Sequence, residues 1–480
     1  MRFLDPVAAT LAFAIAAAAQ DTVIVPSGAS LDEIARLAGE VRPSPRQLQW
    51  QQHGFVAFVH FGMNTFTDRE WGDGKESPST FAPTDFDAGQ WARAFADAGM
   101  RGVVLTCKHH DGFCLWPSAS TEHDVANSAW RNGDGDVVAE VADACREHGL
   151  SFGIYLSPWD RNTTVFGTRA YHDVFQQQLR ELCTSYGTLF EVWFDGAHCP
   201  ADDPEAFDWQ SHFRLIRELQ PTACIAITGP DVRWVGNEAG STREQEWSAL
   251  PLDAADTGAI EENRAVWRSL WRLREKCQTP DLGSRTALAD ARRLVWWPAE
   301  TDVSIRKGWF WRASEDATVK QKRELLDIWF RAVGGNAVLL LNVPPDRRGR
   351  IADPDVAALA AVGAHLRATF ATDLTEGCKR RESATATEVW FGGERTFDVV
   401  DLREDVAANG QRVESFRIDR WDGERWVEVA TGGTIGFRRI LRLKPSAAHG
   451  IRCVVTKSRG QPLGVKLAAH LEPSEPKPSK

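Results

Sequence analysis

The sequence predicts an α/β protein: a (β/α)8-type barrel over about residues 30–366, followed by an antiparallel β-sandwich over 367–470. Three observations predict it. Short apolar runs alternate with amphipathic helical patterns from about residue 48 to 365. After about residue 368 the texture changes to short alternating segments separated by Gly, Asp and Asn turns. No glycine-rich phosphate loop follows the first strand, which speaks against a dinucleotide-binding doubly wound sheet.

The elements follow in chain order. MRFLDPVAATLAFAIAAAAQDT carries one early arginine, an apolar stretch from Val7 to about Ala19 and small residues at its end, the pattern of a secretory signal over 1–20 and hence of an exported protein. The apolar run is too short for a confident bilayer span, and no later segment is long and apolar enough, so no membrane span is expected. FVAFVHFG (55–62) precedes the helical DFDAGQWARAFADAGM (85–100), and GVVLTCKHH (102–110) precedes GDVVAEVADACREHG (135–149). SFGIYLS (151–157) leads to TRAYHDVFQQQLRELCTSYG (168–187), and LFEVWFD (189–195) to PEAFDWQSHFRLIRELQ (204–220). Further apolar runs are ACIAITGPD (223–231), RLVWWPAETDVSI (293–305) and AVLLLNVPP (337–345), with a helical VKQKRELLDIWFRAV (319–333) between the last two. TEVWF, FDVVDL, SFRIDRW, WVEVA, RRILRL and IRCVVTKS are the sandwich strands, and residues 471–480 read as a disordered tail.

Composition narrows the function classes. A formal net charge of −10, with no block of lysine or arginine, argues against a nucleic-acid surface. Nine cysteines include no CxxC pair and lie mostly in apolar patterns, as buried thiols do. Twenty tryptophans stand beside three tyrosines, which reflects either coding style or apolar platforms for sugar rings.

In such a barrel, catalytic groups come from the C-terminal ends of several strands and the loops after them. Those positions hold His60, then Lys108, His109 and His110, then Tyr155 and Trp159, then Asp195, Asp231 and Arg233, and finally Glu300. His109 and His110 lie between Cys107 and Cys114, but adjacent strand residues face opposite ways and no second cysteine pair completes a site, so no metal is expected. There is no GxSxG elbow for a serine hydrolase. Carboxylates, histidines and tryptophans at a barrel mouth, with no cofactor motif, fit glycoside hydrolysis.

HFGMNTF (60–66), EWGDG (70–74), LTCKHHDGFCLWPS (105–118), GIYLSPWDRN (153–162), VWFDGA (192–197), GPDVRWVGNE (229–238), WWPAETDVSIRKGWFW (296–311) and LLLNVPPD (339–346) together resemble the α-L-fucosidases of glycoside hydrolase family 29. GPDVRWVGNE looks closest to the branch that prefers α-1,3 and α-1,4 linkages. The resemblance implies a retaining exo-α-L-fucosidase acting on a fucosylated glycan without a cofactor. It places the nucleophile at Asp195 and the acid/base at Glu238, with Glu244 and Glu246 as competing candidates. It places fucose contacts at His60, Glu70, Trp71, His109, His110, Tyr155, Trp193 and Trp309. VANSAW (125–130) lacks the proline expected before its tryptophan, and residues 248–292 match no motif of the family. A catalytically dead fucose-binding lectin and a metal-dependent barrel hydrolase are the rival readings.

Overall fold

The structure, a computed structural model, describes residues 20–203, 205–254, 256 and 258–474, so the expected signal up to residue 19 and the last six residues of the expected tail lie outside it. Eight parallel strands form the barrel: β1 (Phe55–Val59), β2 (Gly102–Lys108), β3 (Ser151–Leu156), β4 (Leu189–Phe194), β5 (Cys224–Ile227), β6 (Arg233–Trp234), β7 (Ala299–Ser304) and β8 (Ala337–Asn342). Their order is β5-β4-β3-β2-β1-β8-β7-β6, and a parallel bridge between Ala226 and Val232 brings the two ends together.

Side-chain alternation divides each strand between two cores. Val56 and Phe58, Val104, Tyr155, Trp193, Cys224 and Ala226, and Val338 and Leu340 fill the barrel interior, with Trp50 at its base. Their neighbours Ala57, Val59, Leu105, Ile154, Val192, Ile225, Leu339 and Leu341 face outward onto the helices. Two-faced burial explains why these strands read as unbroken apolar runs.

The run 293–305, read as one strand, is two. Arg293–Trp296 pairs antiparallel with Thr22–Ile24 and Ala249–Leu252 in a small side sheet, and β7 begins only at Ala299. Pro298 lies between them; with no N–H to donate, it ends one ladder before the other starts.

The C-terminal sheet comprises β9 (Lys379–Glu382), β10 (Ala386–Arg403), β11 (Val413–Trp421), β12 (Trp426–Gly432), β13 (Arg439–Ser458) and β14 (Lys466–His470), all antiparallel. The long β10 and β13 run through both leaves of a sandwich. The first half of β10 pairs with β9 and the last half of β13 with β11, which in turn pairs with β12, whereas the other half of β10 pairs with β14. Register shifts between Trp390 and Arg395 and between Phe397 and Val399 mark the bend. Glu472, just beyond β14, bonds His365 at 2.8 Å and Arg442 at 3.0 Å.

Candidate active site

A cavity of about 770 Å³ opens at the C-terminal end of the barrel. It is lined by His60, Glu70, Trp71, His109, His110, Trp193, Asp195, Glu238 and Trp309. Tyr155 lies fully buried behind this wall, within reach of Asp195.

Asp195 follows β4 directly, continuing the inward-facing series Glu191, Trp193, Asp195. Its two carboxylate oxygens have separate partners. Tyr155 Oη donates to Oδ2 at 2.8 Å, and the backbone N–H of Ala197 donates to Oδ1 at 2.7 Å. His110 Nε2 stands 3.7 Å from Oδ2.

The hydrogen-bond network assigns the histidine tautomers. Asn342 gives its amide N–H groups to Ser304 Oγ (2.9 Å) and to the Trp309 carbonyl (2.8 Å), so its oxygen faces His60 and accepts from Nδ1 at 2.9 Å. His60 therefore presents a bare Nε2. Burial holds this ring neutral, with its pKa lowered to about 3. The Ser157 hydroxyl donates to the Trp159 carbonyl at 2.7 Å, so His110 Nδ1 must donate to Ser157, 2.7 Å away, and Nε2 is again an acceptor. Asn64 Nδ2 donates to His109 Nδ1 at 3.4 Å, leaving Nε2–H as a donor. Burial first, then neighbouring histidines, keeps His109 uncharged; burial also lowers His110, against the opposing pull of Asp195. The wall thus offers two acceptors and one donor, a pattern matched to sugar hydroxyls.

Glu238 stands on the exposed rim in the loop after β6. Partial desolvation raises its carboxyl above the usual range, and the nearby Asp195 raises it further, against a Trp309 side-chain hydrogen bond. The competing glutamates lie elsewhere. Glu246 is buried in ion pairs with Arg233 and Arg243, and Glu244 is exposed outside the cavity.

Glu70 accepts from the Trp309 backbone N–H at 2.9 Å and pairs with Arg312 at 2.7 Å. Trp71, 49% exposed, sets its edge against His110 and Trp159 at centroid distances of 5.5 and 5.4 Å. Trp193 stacks on Tyr155 at 5.1 Å and 21°.

Besides Tyr155 and Trp159, which stand behind the wall, four strand-end readings fall outside the cavity. Lys108 turns away, into a buried cluster with Asp160 and Gln178, because β2 is bulged between Thr106 and Lys108. Asp231 pairs with Arg217 and Arg46, and Arg233 with Glu246. Glu300 is the second residue of β7, not its last, so it lies deeper in the barrel, accepting from Trp193 Nε1 at 2.8 Å.

The cavity also contains residues that strand-end reading missed. Asp302 accepts from Trp234 Nε1 at 2.8 Å, and burial lifts its pKa to about 7. Its signal was the parity of β7: Glu300, Asp302 and Ser304 share one face. Arg274, Glu275 and Gln278 line the same cavity from the end of the helix Arg264–Glu275, within the segment that matched no motif. A side chain at Gly196 would collide with the Arg274 guanidinium, so the glycine lets that arginine close over the strand end. Among the described residues, no group of three or more His, Cys, Asp or Glu is placed to hold a metal ion.

A family model described as alpha-L-fucosidase matches residues 46–369. The chain is 38% identical over 466 residues to alpha-L-fucosidase 1 of Arabidopsis thaliana, covering 90% of this chain and 87% of that one. A glycoside hydrolase 29 family member from a rumen bacterium superimposes with a TM-score of 0.79 at 38% identity, over 92% of this chain and 79% of that one. A Ruminococcus gnavus GH29 fucosidase in complex with fucose gives 0.75 at 28% identity, over 90% and 95%.

Proposed function

The chain belongs to the α-L-fucosidases of glycoside hydrolase family 29, and from that premise we propose a retaining exo-enzyme that removes terminal α-1,3- or α-1,4-linked L-fucose from glycans. The carrying observation is that one cavity brings Asp195 and Glu238 together in different surroundings. Asp195 is fixed by two hydrogen-bond donors at the end of its strand, whereas Glu238 is pushed toward its protonated form by partial desolvation and by the nearby Asp195.

In this reading Asp195 attacks C1 of fucose as Glu238 gives its proton to the departing glycosidic oxygen. The C1–O bond to the acceptor breaks, and a fucosyl ester on Asp195 forms. Glu238, now a base, takes a proton from water, whose oxygen attacks C1 and frees Asp195. His60 and His110 accept hydroxyl protons of the sugar and His109 donates. Phe58, Trp193 and Trp309 supply apolar surface for the ring and its methyl group. Retention of both carboxyls favours turnover over a binding-only lectin.

Linkage preference follows from the acceptor wall. Arg274, Glu275 and Gln278 give polar contacts beyond the fucose, and the cavity of about 770 Å³ has room for a second sugar. Binding energy from that sugar contributes to turnover when it is realised in the transition state. The N-terminal apolar stretch supports an exported enzyme. The test is kcat/KM for a Lewis-type trisaccharide, a 2-linked fucosyl-galactoside and an aryl fucoside. The trisaccharide should be preferred; a clear preference for either of the others refutes the linkage assignment.

A further inference from the structure

The double displacement leaves Asp302 without a role. Its side chain lines the same cavity as Asp195 and Glu238, from the inward face of β7, and is 6% exposed. Trp234, on the neighbouring strand β6, donates from Nε1 to Oδ1 at 2.8 Å. Oδ2 has no hydrogen-bond partner among the described residues and opens on the cavity.

The charges nearest Asp302 are all acidic. Glu238 approaches it from the loop after β6, Asp195 from the end of β4, and Glu300 stands two residues earlier on β7. Arg274 lines the cavity, yet among the described residues no cation forms an ion pair with Asp302. Burial, opposed by the Trp234 bond and reinforced by Glu238, lifts its pKa to about 7. Below that pH the side chain is a neutral acid. Since Oδ1 accepts the indole N–H, the proton belongs on Oδ2, and Asp302 offers the cavity an O–H donor instead of a charge.

This donor comes from its own direction. His60 ends β1 and His109 and His110 follow β2, whereas β8 separates β1 from β7. Asp302 therefore reaches a bound sugar from the side of Glu238. A desolvated donor left without an acceptor is costly, and a sugar oxygen supplies one.

On the reading that this cavity takes fucose, we propose that Asp302 is a further substrate-binding residue, which in its neutral form donates from Oδ2 to an oxygen of the fucosyl unit. Ionisation removes the donor and sets another negative charge beside Asp195, so binding of the sugar weakens as Asp302 titrates.

The test is kcat/KM against pH for an aryl fucoside whose leaving group needs no proton, a substrate that does not depend on the Glu238 proton. No fucose release by the wild type from aryl or glycan substrates removes the underlying reading and this proposal with it; the other outcomes bear on Asp302 alone. The wild-type value should fall as pH rises past about 7. Asp302→Asn keeps an acceptor for Trp234 and an N–H in place of the O–H, so it should retain most activity below that pH and hold it above. Asp302→Ala should lose about tenfold, the worth of one hydrogen bond, on the aryl fucoside and on a glycan alike. A role confined to structure would leave the pH limb where it is. Asp302→Asn as impaired as Asp302→Ala at low pH, an alkaline limb that Asp302→Asn does not move, or full activity of Asp302→Ala overturns the proposal.

Discussion

Asp195 and Glu238 carry the same functional group, and their surroundings separate them. Two donors on Asp195 hold the carboxylate in place, so Asp195→Gly should cut fucose release by several kcal/mol of barrier while the fold persists. Near-wild-type release would remove Asp195 from the mechanism. The pKa of Glu238 is raised by desolvation and then by Asp195. Its protonated form persists to higher pH, and the alkaline limb of glycan hydrolysis should follow its titration. Glu238→Ala should hurt glycans far more than an aryl fucoside whose leaving group needs no proton, and azide should partly restore the aryl reaction. Equal losses without rescue would move the role elsewhere. Legibility at this scale depended on parity. His60 and Asp195 end apolar strands in phase with inward-facing neighbours, so spacing alone pointed to them. Glu238 sits on a loop after a strand of two residues, where no periodicity exists, and only the family resemblance singled it out.

Strands β4 and β7 stack their inward side chains in layers: Glu191 and Glu300 low in the barrel, Trp193 between, and Asp195 and Asp302 at the mouth. The lower pair is buried and, among the described residues, forms an ion pair with no cation. Desolvation raises Glu191 to about 8 and Glu300 well above the carboxylate range, the two carboxyls reinforcing each other at Glu300. The folded state thus binds protons that the unfolded chain has released, so stability falls as pH rises from the unfolded pKa near 4.5 toward 8. Glu191→Gln should flatten that fall and stabilise the protein at pH 8 by on the order of 1 kcal/mol, with little change at pH 5. Thermal unfolding at the two pH values measures it, and an unchanged slope would show that the pair is not protonated. Reading strand ends assigned Glu300 to the mouth, but it is the second residue of β7. Pro298 was the visible clue that β7 starts late, which moves Glu300 down a layer and brings Asp302 up.

Across the whole molecule, the sandwich braces the loop that carries Glu238. Gln411 donates to the Glu246 carbonyl at 2.9 Å and accepts from the Ser248 N–H at 2.8 Å, and Thr434 adds a third bond at 3.2 Å. The Glu246 side chain binds Arg243, whose guanidinium in turn holds the Val235 carbonyl at 2.8 Å and the Cys277 carbonyl. One run of contacts therefore joins the sandwich to the segment before Glu238 and to the helix end bearing the acceptor wall. None of it was legible, since Gln411 and Glu246 are 165 residues apart and no local pattern marks either. Gln411→Ala leaves the Ser248 N–H without its acceptor in a buried setting, at a cost of about 1–3 kcal/mol. If the brace positions the acid, the variant should also lose more kcat on a glycan than on an aryl fucoside, because only the former needs the Glu238 proton delivered in place. Comparing the two substrates separates positioning from general softening: equal losses on both would mean that the sandwich stabilises the barrel without aiming the acid.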